Sequence, residues 1–442
     1  MSEKTKTEKR KEKDRSQKLE RETVGVVGLG YVGLPLAVRA REKGFRVLGF
    51  ERTQEKADII NSGQSPIEDE YLEKKLPENP IEATTDTARI KECDIVLICV
   101  PTPVDEFHNP DIGPVRQASE SVAENLKPGA LVVLESTVNP GVSEEIVKPI
   151  FEAKGHEVGK DVFIAHCPER INPGDPKWNV TNIPRVVGAF TQEGLRKALR
   201  FYETIIDAPI KPMKHIREAE ACKVVENSFR DINIAFVNEL AKSFDVLGID
   251  VKDVIDGAAT KPFAFLAHYP SRGIGGHCIP VDPYYLIERA KRAGFDHKFL
   301  RTSRAINNSM PAYTVSLLQE KLNDLKMPLN GTKVGLLGIA YKPNVDDDRE
   351  SPYYDIVAEL RKKKAEIVSF DPHIPKRSDV NSLTELLREA EAVILVTNHR
   401  EFQDLDGEML KEYKVKVIVD GVNALDKDDI EKAGVVYKGI GR

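Results

Sequence analysis

Two segments hold residues whose types and spacing could do chemistry. In RGIGGHCIPVDPYYL, residues 272–286, Cys278 follows two glycines and a histidine and precedes Pro280, Asp282 and Pro283. A thiol is a nucleophile only when it is reachable and at least partly ionised. Gly275 and Gly276 leave room for another chain or a substrate to approach. His277 is adjacent, but neighbouring side chains on an extended loop diverge, so adjacency alone does not make it a base. A free cysteine is otherwise a small apolar filler. Crowding by Gly, His and Pro is unlike core filling, and local chemistry leaves the two readings level. Cys93, Cys99, Cys167 and Cys222 lie in strand or helix sequence or beside a loop proline, and read as structural.

The second segment, VGVVGLGYVGLPLA, sets Gly28, Gly30 and Gly33 in Gly-x-Gly-x-x-Gly, after the β-branched run Thr23 to Val27 and at the opening of a helical pattern. The first glycine permits a tight turn, the second lets backbone approach a pyrophosphate, and the third lets helix pack on strand. The helix N-terminus offers N–H groups and a positive dipole end to the phosphates. Glu51 ends the next strand 18 residues after Gly33, where an acid accepts from the ribose hydroxyls and repels a 2′-phosphate. NAD is therefore expected rather than NADP, with Arg52 the one neighbour working against that preference.

The elements around these segments alternate. Further buried-strand runs stand at Arg46–Phe50, Asp94–Val100, Ala130–Leu134, Val162–Ala165 and Arg185–Gly188, and continuous apolar runs suit parallel strands covered on both faces. The helical pattern Leu34 to Lys43 stops at Gly44. Residues 214–248 then read as one helix without an internal Pro or Gly, a hub and dimer surface. A second alternation begins at Lys333, with VGLLGIAY, EIVSFD, AVILVT and VKVIVDG as four strands. The fold class is α/β: an N-terminal Rossmann-like doubly wound domain, a central helical domain with one long helix, and a C-terminal Rossmann-like α/β domain. The expected bounds are a charged tail at 1–21, a dinucleotide domain at 22–210, a helical domain at 211–325 and a nucleotide domain at 326–442.

A chain of 442 residues is long for one domain, and its net charge of −6 gives nucleic acid no basic face to meet. No apolar run spans a bilayer, and a mean hydropathy of −0.36 with 40% hydrophobic residues fits a globular protein. The first 20 residues carry eight basic and five acidic side chains without an apolar stretch, so they read as a solvated tail and not as a secretory signal. Five cysteines with no Cys-x-x-Cys pair argue against disulfides and a metal site, and for a cytoplasmic setting.

Together with CVPTP at Cys99–Pro103, ESTVNPG at Glu135–Gly141, CPERINPG at Cys167–Gly174, EACKVVENSFRDINIAFVNE at Glu220–Glu239 and GIAYKPNVDDDRESP at Gly338–Pro352, these motifs make the chain resemble the UDP-glucose/UDP-mannose dehydrogenase family. The likeness covers nearly everything but the tail. It implies a four-electron oxidation of a sugar-nucleotide alcohol to a carboxylate with NAD as acceptor. Lys223 would stabilise the alkoxide, Asp282 with a water would take the proton, and Cys278 would carry the half-oxidised sugar as a thiohemiacetal and thioester. Glu169 would activate the hydrolytic water, with Thr137 and Asn227 orienting it. Asn227 lies one helical turn after Lys223. The likeness also assigns Tyr31, Val32, Pro101, Thr102 and Thr137 to NAD, alongside Gly28, Gly30, Gly33, Glu51 and Arg52. Arg170, Lys223, Asn227, Arg272, Gly275, Lys342 and Arg349 fall to a UDP-sugar, and a homodimer or larger homo-oligomer is expected.

Relatives that oxidise UDP-glucose generally carry a second acid four residues after the position of Glu169, where this chain has Pro173. PERINPGDPKW resembles instead the branch acting on UDP-N-acetylhexosamines, with UDP-N-acetylglucosamine favoured, UDP-N-acetylmannosamine next and UDP-glucose after it. A reading from another class is a catalytically inactive nucleotide-sugar binding protein. The presence of Cys278, Lys223, Glu169 and Asp282 together argues against that.

Overall fold

The structure is a computed structural model and describes residues 22–67, 69–105, 110–171 and 177–442. The charged tail and Pro173 lie outside the described residues. The chain forms two compact units. The first runs to Glu226 and includes Tyr284–Arg292, and the second comprises Asn227–Pro283 and Ala293–Arg442.

The first unit is built on eight strands: β1 Thr23–Val27, β2 Arg46–Phe50, β3 Glu82–Thr84, β4 Ile95–Ile98, β5 Ala130–Leu134, β6 Val162–His166, β7 Arg185–Ala189 and β8 Ile210–Pro212. Their order is β3-β2-β1-β4-β5-β6-β7-β8, which reverses direction between β1 and β4 as in a doubly wound sheet. β4, β5 and β6 are buried along their whole length, with one apolar cluster on each face of the sheet. That two-sided burial is why their sequences are continuous rather than alternating. One expectation is corrected: β7 pairs antiparallel with β6. Residues 167–184 contain no helix among those described, and a parallel return needs a crossover, usually helical. The chain instead turns back at the carboxyl end of β6 and leaves Glu169 and Arg170 there. β3 and β8, each three residues long, are too short to have registered as strands in the sequence.

The long helix spans Ile216–Leu247 and 32 residues. In the first unit Ile216 and Ala219 are buried, and the Glu220 carboxylate accepts from the backbone N–H of Gly141 at 2.5 Å and of Ser143 at 2.8 Å. Burial pushes that carboxyl up and the two N–H groups hold it down, with burial the stronger.

The second unit holds β9 Lys333–Leu337, β10 Glu366–Phe370, β11 Ala392–Leu395, β12 Val417–Asp420 and β13 Val436–Gly439. All pair parallel in the order β10-β9-β11-β12-β13. Four of these strands were legible in the sequence. β13, VYKG, was not, because only two of its four residues are buried. Val315, Leu318 and Leu322 of helix Met310–Asp324 and Ile356 and Leu360 of helix Pro352–Lys362 cover one face of the sheet. In the same unit Asn238 donates to Asn307 at 2.9 Å and accepts from the Ser271 N–H at 3.0 Å, which ties the start of the thiol loop to the helix. No helix among the described residues is long and apolar enough to cross a membrane.

His166, at the end of β6, is fully buried, and neither ring nitrogen has a hydrogen-bond partner among the described residues. Burial alone pushes its imidazole down from 6.5 to about 3. The folded chain therefore refuses a proton that the unfolded chain accepts. Stability should fall as pH drops from about 6.5 towards about 3, by about 1.4 kcal/mol per pH unit from this one group. In His166→Leu the denaturation midpoint should gain on the parent's as the solution is acidified through that window. Curves that stay parallel would show His166 protonating in the folded chain.

Candidate active site

In the first unit the site begins where β1 gives way to helix Gly33–Glu42. Gly28 has φ +90°, and a Cβ there would lie 2.8 Å from the Cys99 carbonyl oxygen. A Cβ on Gly33 would overlap the Gly28 carbonyl, whereas one on Gly30 would meet nothing within 4 Å. The first and third glycines are thus required by packing, and the second leaves an open side for a ligand. Tyr31 and Val32 are half-buried in the same turn, and no side chain caps the helix N-terminus. The Glu51 carboxylate accepts from Leu29 N–H at 2.9 Å and from Arg52 N–H at 3.0 Å, so this acid fixes the glycine loop; the Arg52 side chain is exposed. These features fit NAD.

Pro101 and Thr102 follow β4, and the Tyr285 hydroxyl donates to the Thr102 carbonyl. Ser136 donates to the Val100 carbonyl at 2.7 Å, and the half-buried Thr137 comes next after it. The glycine turn, Pro101–Thr102 and Thr137 therefore gather at the carboxyl ends of β1, β4 and β5, where open α/β sheets bind their ligands.

Glu169 is buried beside them. One of its oxygens accepts from the N–H groups of Arg170 at 2.5 Å and Ile171 at 2.6 Å, and the other lies 2.8 Å from the Arg185 guanidinium. Arg185 also reaches Glu135 at 3.2 Å, and Tyr202 donates its hydroxyl to Glu135. Both Arg185 and Glu135 are 1% exposed. Burial is the main force pushing the Glu135 carboxyl up to about 8; Arg185 opposes it and Glu169 adds to it. Sequence reasoning singled out Glu169 but missed Arg185 and Tyr202. A buried arginine on a strand carries no local signal, since its partners arrive from other elements. Arg170 is committed to Glu226, with contacts of 2.7 and 3.1 Å, and to the Pro184 carbonyl at 2.7 Å. Lys223 is half-buried on the long helix, a turn beyond the anchored Glu220.

In the second unit Asn227 and Asp282 are both buried, and the Asn227 amide donates to the Asp282 carboxylate at 2.5 Å. The Asp282 N–H donates to the Cys278 carbonyl at 2.8 Å, closing the turn that opens helix Asp282–Arg292. Cys278, Asn227 and Asp282 are thereby brought together, with the thiol half-buried. The expected divergence of His277 and Cys278 does not hold. The Cys278 Sγ lies 3.0 Å from His277 Nδ1, because the loop bends, with Gly276 at φ +85°, instead of running extended. A Cβ on Gly275 would lie 2.7 Å from that of Tyr341.

Arg272 points inward. It donates to the carbonyls of Gly273 at 3.2 Å and Tyr341 at 3.1 Å and to the Thr397 hydroxyl at 3.3 Å, and burial lowers its guanidinium to about 10. It acts here as a clamp between the thiol loop and the loops after β9 and β11. Those loops repeat the first unit's turn. Gly338, at φ +93°, donates to Phe370, and the N–H groups of Ile339 and Ala340 donate to Asp371 at 2.6 and 2.8 Å. Lys342 is half-buried just beyond, and the exposed Arg349 is folded onto Asp347 at 2.8 and 2.5 Å. No metal was expected. Among the described residues, the donor atoms of His373, His399 and Glu401 lie within 4.8 Å of one another. Both ring nitrogens of His399 are already engaged, by Asn344 N–H at 3.0 Å and by Asp371 at 3.1 Å.

Fold and glycine turn are those of a dinucleotide-binding protein. Models of the NAD-binding, central and UDP-binding domains of the UDP-glucose/GDP-mannose dehydrogenase family match residues 22–206, 217–309 and 335–427. The chain is 33% identical to the UDP-N-acetyl-D-mannosamine dehydrogenase of Pyrococcus horikoshii, over 95% of this chain and 99% of that one. It is 36% identical to the UDP-N-acetyl-D-glucosamine 6-dehydrogenase of Pseudomonas aeruginosa, over 92% and 98%. The solved structure of the Pyrococcus horikoshii UDP-D-ManNAc dehydrogenase superposes with a TM-score of 0.89 at 33% identity, covering 95% and 99% of the two chains. The chain belongs to the UDP-glucose/GDP-mannose dehydrogenase family and is an NAD-dependent UDP-sugar dehydrogenase.

Removing one partner of a buried ion pair leaves the others uncompensated, at a cost of about 3–5 kcal/mol. Arg185→Met should therefore lower the denaturation midpoint sharply, and adding Glu169→Gln to it should recover part of the loss. A double variant no more stable than the single one would show that the Glu169 carboxylate does not rely on Arg185.

Proposed function

We propose that the substrate is a UDP-N-acetylhexosamine, with UDP-N-acetylglucosamine favoured, and that its C6 alcohol becomes a carboxylate through a thioester on Cys278. The observation that carries this reading is the buried Asn227–Asp282 pair placed one turn from a half-buried thiol. When bound, NAD takes up a hydride at each of two oxidations. Lys223 offers an ammonium to the developing alkoxide while Asp282, through a water, takes the hydroxyl proton. The Cys278 thiolate then adds to the aldehyde carbon, because the resulting thiohemiacetal, unlike the bare aldehyde, can give up a second hydride. Glu169 deprotonates the water that releases the acid, and Thr137 and Asn227 orient it. One alcohol, two NAD and one water give one carboxylate, two NADH and three protons.

Arg170, Arg272, Gly275, Lys342 and Arg349 are the groups read as meeting the UDP-sugar, with Arg272 acting through the loop it clamps. UDP-N-acetylmannosamine is the second reading, favoured by the likeness to the Pyrococcus horikoshii enzyme. The exposed Phe229 and Phe236 on the long helix, together with Phe263 and Leu266, support a second copy of the chain as partner. A reduced catalytic thiol suits the cytoplasm.

Purified enzyme given NAD and a panel of UDP-sugars should form two NADH per sugar consumed, with an N-acetylhexosamine preferred. Cys278→Ser should lose carboxylate formation by several orders of magnitude. A full yield of uronate from that variant would refute the thioester, and a preference for UDP-glucose would refute the substrate.

A further inference from the structure

The second unit places His277 against the reacting sulfur, with Nδ1 3.0 Å from Cys278 Sγ. That is hydrogen-bonding contact with the sulfur, in a loop that bends there with Gly276 at φ +85°. Burial would raise the Asp347 carboxyl, but its hydrogen bonds to Arg349, the Arg349 charge and the positive form of His277 together hold it below the usual carboxylate range. The chain connection is direct as well, since the Gly276 N–H donates to the Arg349 carbonyl at 3.2 Å. Tyr341 completes the surroundings. Its phenol is pushed up to about 12, by burial first and by the Asp347 and Cys278 charges after it, so it stays neutral. Asp282, on the following helix, has its carboxylate hydrogen-bonded to Asn227.

We propose that His277 is a catalytic residue, the base that takes the Cys278 thiol proton and holds the sulfur as thiolate, and that Asp347 is a positioning residue that stabilises the resulting imidazolium. This goes deeper into the thioester reading above and rests on it. In the step itself the S–H bond breaks heterolytically. The proton moves to Nδ1 of a histidine protonated on Nε2, the electron pair stays on sulfur, and nothing is oxidised. The product is an imidazolium–thiolate pair of the kind that makes cysteine nucleophilic at neutral pH. Arg349 adds a second cation to the same patch, paired to Asp347 at 2.5 Å. The loop then has a purpose for its histidine that the electrophile-free enzyme can reveal.

The test uses the whole purified protein without substrate. Iodoacetamide labelling of Cys278 is followed by peptide mass spectrometry across the neutral pH range, with Cys278→Ser as the background control. The parent should show a thiolate titrating below the ordinary cysteine value. In His277→Ala that titration should move up by about one unit or more, slowing labelling at neutral pH by about tenfold. Asp347→Asn should give a shift in the same direction but smaller. Far-ultraviolet circular dichroism establishes that each variant is folded. If His277→Ala proves unstable, His277→Gln keeps the volume, loses the titration and should show the same shift. Equal labelling profiles in the parent and a folded His277 variant would overturn the proposal. The thioester reading fails on a different result, retention of uronate formation by Cys278→Ser, so the two failures cannot be confused.

Discussion

A primary alcohol can surrender a hydride as it stands, but an aldehyde cannot surrender another until a nucleophile has added to its carbonyl. For a single protein to carry an alcohol to an acid, it needs a group that adds, waits through an exchange of dinucleotide and leaves again. Sulfur does this well because a thiolate is nucleophilic near neutrality and a thioester is readily hydrolysed. In the proposed route Cys278 is that group, and the features around it fit the requirement. Asn227 and Asp282 bury a polar pair one turn away, His277 meets the sulfur, and the glycines of the loop allow the bend on which that contact depends.

The two units solve similar problems with similar parts. In each, a glycine at positive φ follows the first strand, donates to the end of the second strand, and is followed by one N–H in the first unit, or two in the second, that donate to an acid closing that second strand. Glu51 plays this part in one unit and Asp371 in the other. The equivalence is physical and was not visible residue by residue, because the motif around Gly338 lacks the spacing of Gly28, Gly30 and Gly33. The buried charges differ more. Glu169 is held by two backbone N–H groups and by Arg185, which it shares with Glu135. Such an arrangement orders a carboxylate more strictly than solvent could, at a desolvation cost that only the complete set of partners offsets.

What the sequence disclosed follows from where the information lies. Strands such as Ala130–Leu134 and helix Ile216–Leu247 were legible within a residue or two, because burial on both faces and helical periodicity write themselves locally. The antiparallel return of β7, the short strands β3 and β8, and β13 were not, since their pairing is decided by neighbours distant in sequence. The same division holds at the site. Glycine spacing and the Gly-Gly-His-Cys loop stood out. Arg185 and Tyr202 did not, and the inference that His277 and Cys278 diverge failed because a loop that bends at Gly276, with φ +85°, was treated as extended chain.

The most direct measurement is to slow release of the acid and look for the sugar on the sulfur. Glu169→Gln enzyme would be mixed with NAD and either UDP-N-acetylglucosamine or its manno epimer, quenched in acid and digested. The expected result is a Cys278 peptide heavier by the acyl-linked UDP-sugar, with NADH formed before any free uronate. Uronate released at the parent rate, with the Cys278 peptide unmodified at every quench time, would contradict the covalent route.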